Sequence, residues 1–292
     1  MDNNTATPPS GDRRGVPGVG RVLAVASGKG GVGKSTVTVN LALALAARGQ
    51  RVGILDADIH GPNIPLLLGV RRRNRAAGLA LLSLGGVVPE SQRPRPLTRH
   101  GVSFVSLALF VGEDQHLLPG NSEFAGRLIE QLLFDTAWGQ LDYLLIDLPP
   151  GTGEPQATLA ARIALAGVVL VVMPQDLALL DTTRSLQMFR EATVPIVGVV
   201  ENMSHFICPG CGDRVEVFER SAEVWAVRDA AGPLLGQIPL DIAISRGANT
   251  GTPVVVAAPT SPQAAAFTTI AAEVARRLDG GVGEWASGPV GQ

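Results

Sequence analysis

At 292 residues, with 46% hydrophobic and 17% charged side chains, 35 Gly and 21 Pro, the chain has the size and apolar content of one large globular domain, which excludes a disordered or fibrous protein. A formal net charge of -2 excludes an overall basic field that would draw it onto nucleic acid. No apolar run reaches the roughly eighteen residues of a membrane span, and no signal-peptide core precedes residue 20, so a cytoplasmic protein with no membrane or nucleic-acid partner is expected.

In chain order, residues 1–20 are Pro, Gly and polar residues and are expected to be a disordered tail. The apolar run Val22 to Ala26 reads as the first strand. It is followed by G-K-G-G-V-G-K-S-T over 28–36, which satisfies the phosphate-loop pattern with a strand before it and a helical segment after it. In such a loop Gly28, Gly30, Gly31 and Gly33, with Lys29, Val32 and Thr36 between and beyond them, let the backbone wrap a phosphate. Lys34 adds charge at the β and γ phosphates, and Ser35 offers an oxygen to magnesium. Lys29 is not needed to hold one nucleotide; it is either solvated or reaches a phosphate across a dimer interface.

The strand Val52 to Leu55 ends on D-A-D, bringing Asp56 and Asp58 to the ligand edge of a parallel sheet. Residues 70–100, with R-R-R-N-R and P-E-S-Q-R-P-R-P, read as an irregular surface excursion. Val102 to Leu107 is the next strand, and Phe124, Leu128, Ile129, Leu132 and Leu133 carry helical spacing. Tyr143 to Ile146 is a strand ending at Asp147, the second carboxylate that a magnesium nucleotide requires. Strands at Val168 to Val172, Ile196 to Val200 and Leu234 to Ile238 alternate with helical spacing such as Leu179, Thr183, Leu186 and Phe189. A last helix over Pro262 to Leu278 precedes a Gly-rich tail. Strands alternating with helices predict an α/β fold, a mainly parallel twisted sheet with helices on both faces. The expected division is a tail over 1–20, one ATPase domain over 21–279 and a flexible tail over 280–292.

Both cysteines lie in F-I-C-P-G-C-G-D, at 208 and 211. This spacing brings two sulfurs together on a turn and suits zinc or iron, but supplies half of a four-thiolate site. A redox dithiol and a pair of inert thiols are the other readings of the residues themselves. His205, three residues before Cys208, and His60 are read as surface or packed residues rather than ligands.

Lys29 within the phosphate loop resembles the deviant-Walker ATPases, the group of MinD, ParA and the nitrogenase iron protein. Within that group the chain resembles the Mrp/ApbC iron-sulfur cluster carriers over roughly residues 20 to 278, through L-D-A-D-I-H-G-P-N-I-P, D-L-P-P-G-T-G-E, P-Q-D-L-A-L-L-D, V-E-N-M-S-H-F-I-C-P-G-C-G and G-T-P-V-V-V. The resemblance implies a P-loop fold of the MinD/ParA type and an ATP-sandwich homodimer. Lys29 would contact the partner's γ phosphate, Asp58 would orient the attacking water, Asp56 would support magnesium held by Ser35 and Asp147, and Asn202 would hydrogen-bond adenine. It further implies a 4Fe-4S cluster shared by Cys208 and Cys211 of two subunits and passed to apo iron-sulfur proteins. A positioning or partition ATPase like MinD or ParA is the alternative; the end R-R-L-D-G-G-V-G-E-W lacks a basic amphipathic anchor. Three features depart from the family pattern: many relatives carry an extra small domain before the matched region, residues 117–124 read L-L-P-G-N-S-E-F, and 218–225 read F-E-R-S-A-E-V-W.

Overall fold

The computed structural model describes residues 13–58, 61–70, 93–109, 122–174, 179–218 and 231–280. Its strands are β1 (Val19–Ala26), β2 (Val52–Asp56), β3 (Leu97–Arg99), β4 (Val102–Ser106), β5 (Leu141–Asp147), β6 (Leu165–Val172), β7 (Ile196–Glu201), β8 (Phe206–Ile207), β9 (Arg214–Val215) and β10 (Leu234–Gln237). Its helices are α1 (Lys34–Ala47), α2 (Ile64–Leu67), α3 (Ser122–Asp135), α4 (Glu154–Arg162), α5 (Leu179–Glu191), α6 (Ile242–Thr250), α7 (Val254–Ala257) and α8 (Pro262–Asp279).

Eight strands make one sheet in the order β10-β7-β6-β1-β5-β2-β4-β3, and β8 pairs with β9 in a separate hairpin. Within the large sheet the pairings are parallel except β3 with β4. The inner strands are apolar on both sides because both sides are covered. Leu23 and Val25 of β1 pack with Leu41 of α1 and Phe267 and Ile270 of α8. Ala24 and Ala26 face the other way, into a core with Leu128 and Ile129 of α3, Leu159 of α4 and Phe189 of α5. Helix α8 is held at its start by Ser261, whose hydroxyl accepts from the Ala264 N–H at 3.2 Å, and by Pro262 at its first turn.

β1 lies between β5 and β6, where the strand order reverses, so the loops after β1, β2 and β5 gather at one sheet edge. Register places Asp147 opposite both Val25 and Asp56, so the two predicted magnesium carboxylates stand side by side.

The seven expected strands are present, with ends that differ by at most three residues. The run Val102 to Leu107 stops at Ser106, because Leu107–Leu109 turns into a 3-10 helix. Two expectations need correction. The disordered tail over 1–20 does not extend through 13–20: Val16 is buried, Arg14 bridges Ile163, and β1 begins at Val19. A lone valine among Gly and Pro carries no periodicity from which this anchoring could be read. The excursion over 70–100 ends in order, since Leu97–Arg99 pairs antiparallel with β4 as an edge strand. Residues 1–12, 71–92, 117–121, 219–225, 281–292 and His60 lie outside the described residues, so the expectations placed on them go no further.

Candidate nucleotide site and cysteine hairpin

Between β1 and α1 the chain must curl tightly enough for its N–H groups to point inward. Gly31 and Gly33 supply this with φ of 81° and 83°, a region that costs a side chain strain. Gly33 stands at the head of α1 and no side chain caps the helix, which leaves its first N–H groups to an anion. Gly28 serves close approach instead: a Cβ there would lie 2.4 Å from the Asp181 carbonyl carbon and the Thr182 nitrogen of α5. A cleft of about 870 Å³ follows the loop, lined by Lys29 through Thr36 and, among others, by Asp58, Leu66, Pro150, Ala248 and Asn249. Gly28 is off that wall, pressed against α5.

Beneath the loop lie Asp56 and Asp147, both without solvent exposure. Asp147 accepts from Ser35 Oγ at 2.6 Å and from Thr38 Oγ1 at 2.7 Å, and Lys34 Nζ sits 2.9 Å from it and 3.6 Å from Asp58. Asp56 accepts from Ser106 Oγ at 2.8 Å and from the Ile64 N–H at 3.2 Å. Burial first, and the Asp147 charge second, push the Asp56 carboxyl up to about 8, with Ser106, Ile64 and Lys34 opposing the rise. Two adjacent buried carboxyls beside a serine hydroxyl form a hard-oxygen donor set, which fits magnesium. Asp58 is nearly buried; one oxygen accepts from the Gly61 N–H at 3.2 Å and the other faces Lys34.

The two cysteines occupy the turn between β8 and β9. The turn is closed by the Cys208 N–H to the Asp213 carbonyl at 2.9 Å and the Gly212 N–H to the Cys208 carbonyl at 2.8 Å, with Gly212 at φ 79°. Cys211 is exposed and Cys208 half-buried. Hydrogen bonds to Cys208 from the Cys211 backbone, then the Gly210 backbone, then the Cys211 side chain hold its thiol below the usual value, favouring thiolate. Cys211 donates to Asp213 Oδ2 at 3.2 Å. Among the described residues no group of three or more Cys, His, Asp or Glu is placed to hold a metal, so the pair stands as two ligands. A hairpin knuckle is the geometry of a metal ligand pair; the thioredoxin-like reading requires the pair to open a helix. His205 is packed, with Nδ1 2.7 Å from Ser204 Oγ.

Residues 18–275, a range that spans both the P-loop and the thiol pair, fit the family described as ParA, NUBPL iron-transfer P-loop NTPase. The chain belongs to that family. It is 42% identical over 263 residues to the iron-sulfur cluster carrier protein of Deinococcus radiodurans, covering 90% of this chain and 71% of that one. The nucleotide-binding protein of Archaeoglobus fulgidus in complex with ADP superposes with a TM-score of 0.67 at 33% identity, covering 86% of this chain and 92% of that one. MinD, the cell division ATPase of Pyrococcus furiosus, superposes with a TM-score of 0.65 at 29% identity over 88% of this chain and 99% of its own. No helix among the described residues of this NUBPL-family chain is long and apolar enough to cross a membrane.

In this family member Asn202 sits against the P-loop. Its Nδ2 donates to the Val32 carbonyl at 2.7 Å and its own N–H to the Val172 carbonyl at 2.8 Å, so it braces the loop. Two residues that sequence reading missed complete the carboxylate site. Thr38 follows Lys34 by one helical turn, a spacing that would have found it, and its hydroxyl also donates to the Lys34 carbonyl at 3.0 Å. Ser106 comes from β4, and only strand order places it beside Asp56.

Proposed function

We propose that the chain is an ATP-hydrolysing iron-sulfur carrier whose two copies hold one cluster between Cys208 and Cys211 of each subunit and pass it to apo-proteins. The observation that carries this reading is the cysteine hairpin: two accessible thiols, one biased toward thiolate, with no third ligand beside them among the described residues. A 4Fe-4S cluster takes four thiolates, and a two-fold axis doubles the pair.

At the nucleotide site the ion pairs supply a switch. Lys34 is engaged by Asp147 and Asp58. An incoming γ phosphate competes for its ammonium, which leaves Asp147 to a cation and Asp58 to orient the attacking water. Magnesium, when bound, supplies positive charge at the β and γ oxygens; Ser35 and Asp147 would hold it, with Asp56 behind. Lys29 lines the cleft and would serve the nucleotide of the second copy; Asn202, with Nδ2 spent on the Val32 carbonyl, would offer its carboxamide oxygen to adenine.

The two sites are connected by one short segment. Ala248 and Asn249 of α6 line the cleft, while the residue two before that helix, Leu240, donates its N–H to the His205 carbonyl at 2.7 Å, three residues from Cys208. A change in the cleft that shifts α6 therefore shifts the strand carrying the thiols, which gives nucleotide-dependent cluster retention a physical route.

The test is anaerobic reconstitution with iron and sulfide. The wild-type chain should develop charge-transfer absorbance near one cluster per two chains, and the Cys208→Ala, Cys211→Ala double variant should lose it. Equal iron and sulfide in both proteins would end the carrier reading.

A further inference from the structure

Gln156, in the first turn of α4, is 2% exposed. Its Nε2 donates to the Pro149 and Pro150 carbonyls, each at 3.0 Å. Two acceptors around one end of the carboxamide fix its orientation, since a swapped oxygen would face both carbonyls. Its Oε1 is then buried with no hydrogen-bond partner. The turn it grips follows Asp147 directly. Neither proline has an N–H, so the turn rests on its flanks: the Leu148 N–H donates to Val25 at 3.1 Å and the Gly151 N–H to Ser27 at 2.9 Å. Between these ties Pro150 lines the nucleotide cleft, 3.9 Å from where a Cβ on Gly30 would stand. Gln156 thus holds from behind the one stretch of backbone that joins the buried Asp147 to the cleft wall.

We propose that Gln156 is a positioning residue for ATP hydrolysis, gripping the Pro149-Pro150 turn so that Asp147 and the cleft wall keep their places against the P-loop. The inference rests on the proposed ATPase reading and adds a residue that touches neither phosphate nor metal in the site described above.

The experiment is steady-state phosphate release from ATP, with ADP affinity measured separately, on the full chain and on Gln156→Leu and Gln156→Glu. For Gln156→Leu, kcat should fall on the order of tenfold to a hundredfold while KM and ADP affinity stay within about twofold. In Gln156→Glu, a carboxylate facing two carbonyls lacks the donor, and its protonated form restores one. The ratio of its kcat to wild type should therefore rise as pH falls, and the ratio for Gln156→Leu should stay flat. A kcat within about twofold of wild type in Gln156→Leu overturns the proposal, as does a fall in kcat matched by ADP affinity, which marks a collapsed P-loop. Should Gln156→Leu fail to fold, the pH trend of Gln156→Glu decides, and a flat ratio overturns the proposal. Wild-type protein that binds ADP and releases no phosphate from ATP defeats the ATPase reading instead.

Discussion

Asp56 is a fully buried carboxyl beside a second buried carboxyl, and its partners explain why it is tolerated. Ser106, Ile64 N–H and the Lys34 charge each favour its ionised form, yet burial and Asp147 outweigh them and hold its proton up to about 8. Because the folded value lies above the unfolded value near 3.8, the folded state keeps a proton that the unfolded chain releases. Its contribution to stability is complete below the unfolded value and is lost as pH rises toward about 8. In nucleotide-free and magnesium-free protein, Asp56→Asn should flatten that decline: urea midpoints between pH 5 and 8.5 should drop for wild type and change less for the variant. Parallel profiles would show that Asp56 is already ionised. Cys208 works in the opposite sense, since the N–H groups of its own turn favour the thiolate.

At the scale of elements, the P-loop is held by contacts made far along the chain. Asn202 after β7 ties down Val32, Thr38 in α1 ties Asp147, and α5 packs its backbone onto Gly28. Gly28→Ala should force α5 away from the loop, costing about 1 to 3 kcal/mol of unfolding free energy and weakening ADP binding together; calorimetry and urea unfolding on one sample would check both. A variant with wild-type stability and ADP affinity would show that α5 yields freely. Helix α6 has its own anchors: Asp241 accepts from the Ala243 N–H and from Gln263 Nε2, both at 2.6 Å. Asp241→Ala should cost about 1 kcal/mol and fray the start of α6. If α6 links the cleft to the thiols, this variant should still bind cluster but lose the effect of ATP on cluster release, followed as absorbance decay on adding a chelator.

For the whole molecule, the proposed carrier requires a two-fold partner at two places at once, the thiol pair and the nucleotide cleft. Light scattering after anaerobic reconstitution should show the mass of two chains, and Cys208→Ala with Cys211→Ala should return it to one. Lys29→Ala should leave the cluster-linked pair intact while lowering ATP turnover, because Lys29 serves the nucleotide and the thiols serve the cluster. If both variants changed mass and turnover alike, the two half-sites would not be separable in the way proposed.

Much of this was legible from the residues alone, for physical reasons that differ by feature. The strands could be read because a doubly covered parallel sheet demands uninterrupted apolar runs such as Val168 to Val172. The phosphate loop could be read because its glycines and Lys34 are local requirements of one turn. Asp147 followed from its place at a strand end, and Cys208 with Cys211 from their spacing. What needed the folded chain were contacts between segments remote in sequence: Ser106 on Asp56, Asn202 on Val32, Val16 in the core, and Gln156 behind the Pro149-Pro150 turn. These groups carry ordinary residue types with no periodic signature, and strand order alone decides which of them meet. The sequence by itself therefore determined the chemistry available at each strand end, while tertiary structure decided which buried polar groups hold that chemistry in place, because a hydrogen bond in the interior depends on neighbours that only the sheet's crossovers bring together.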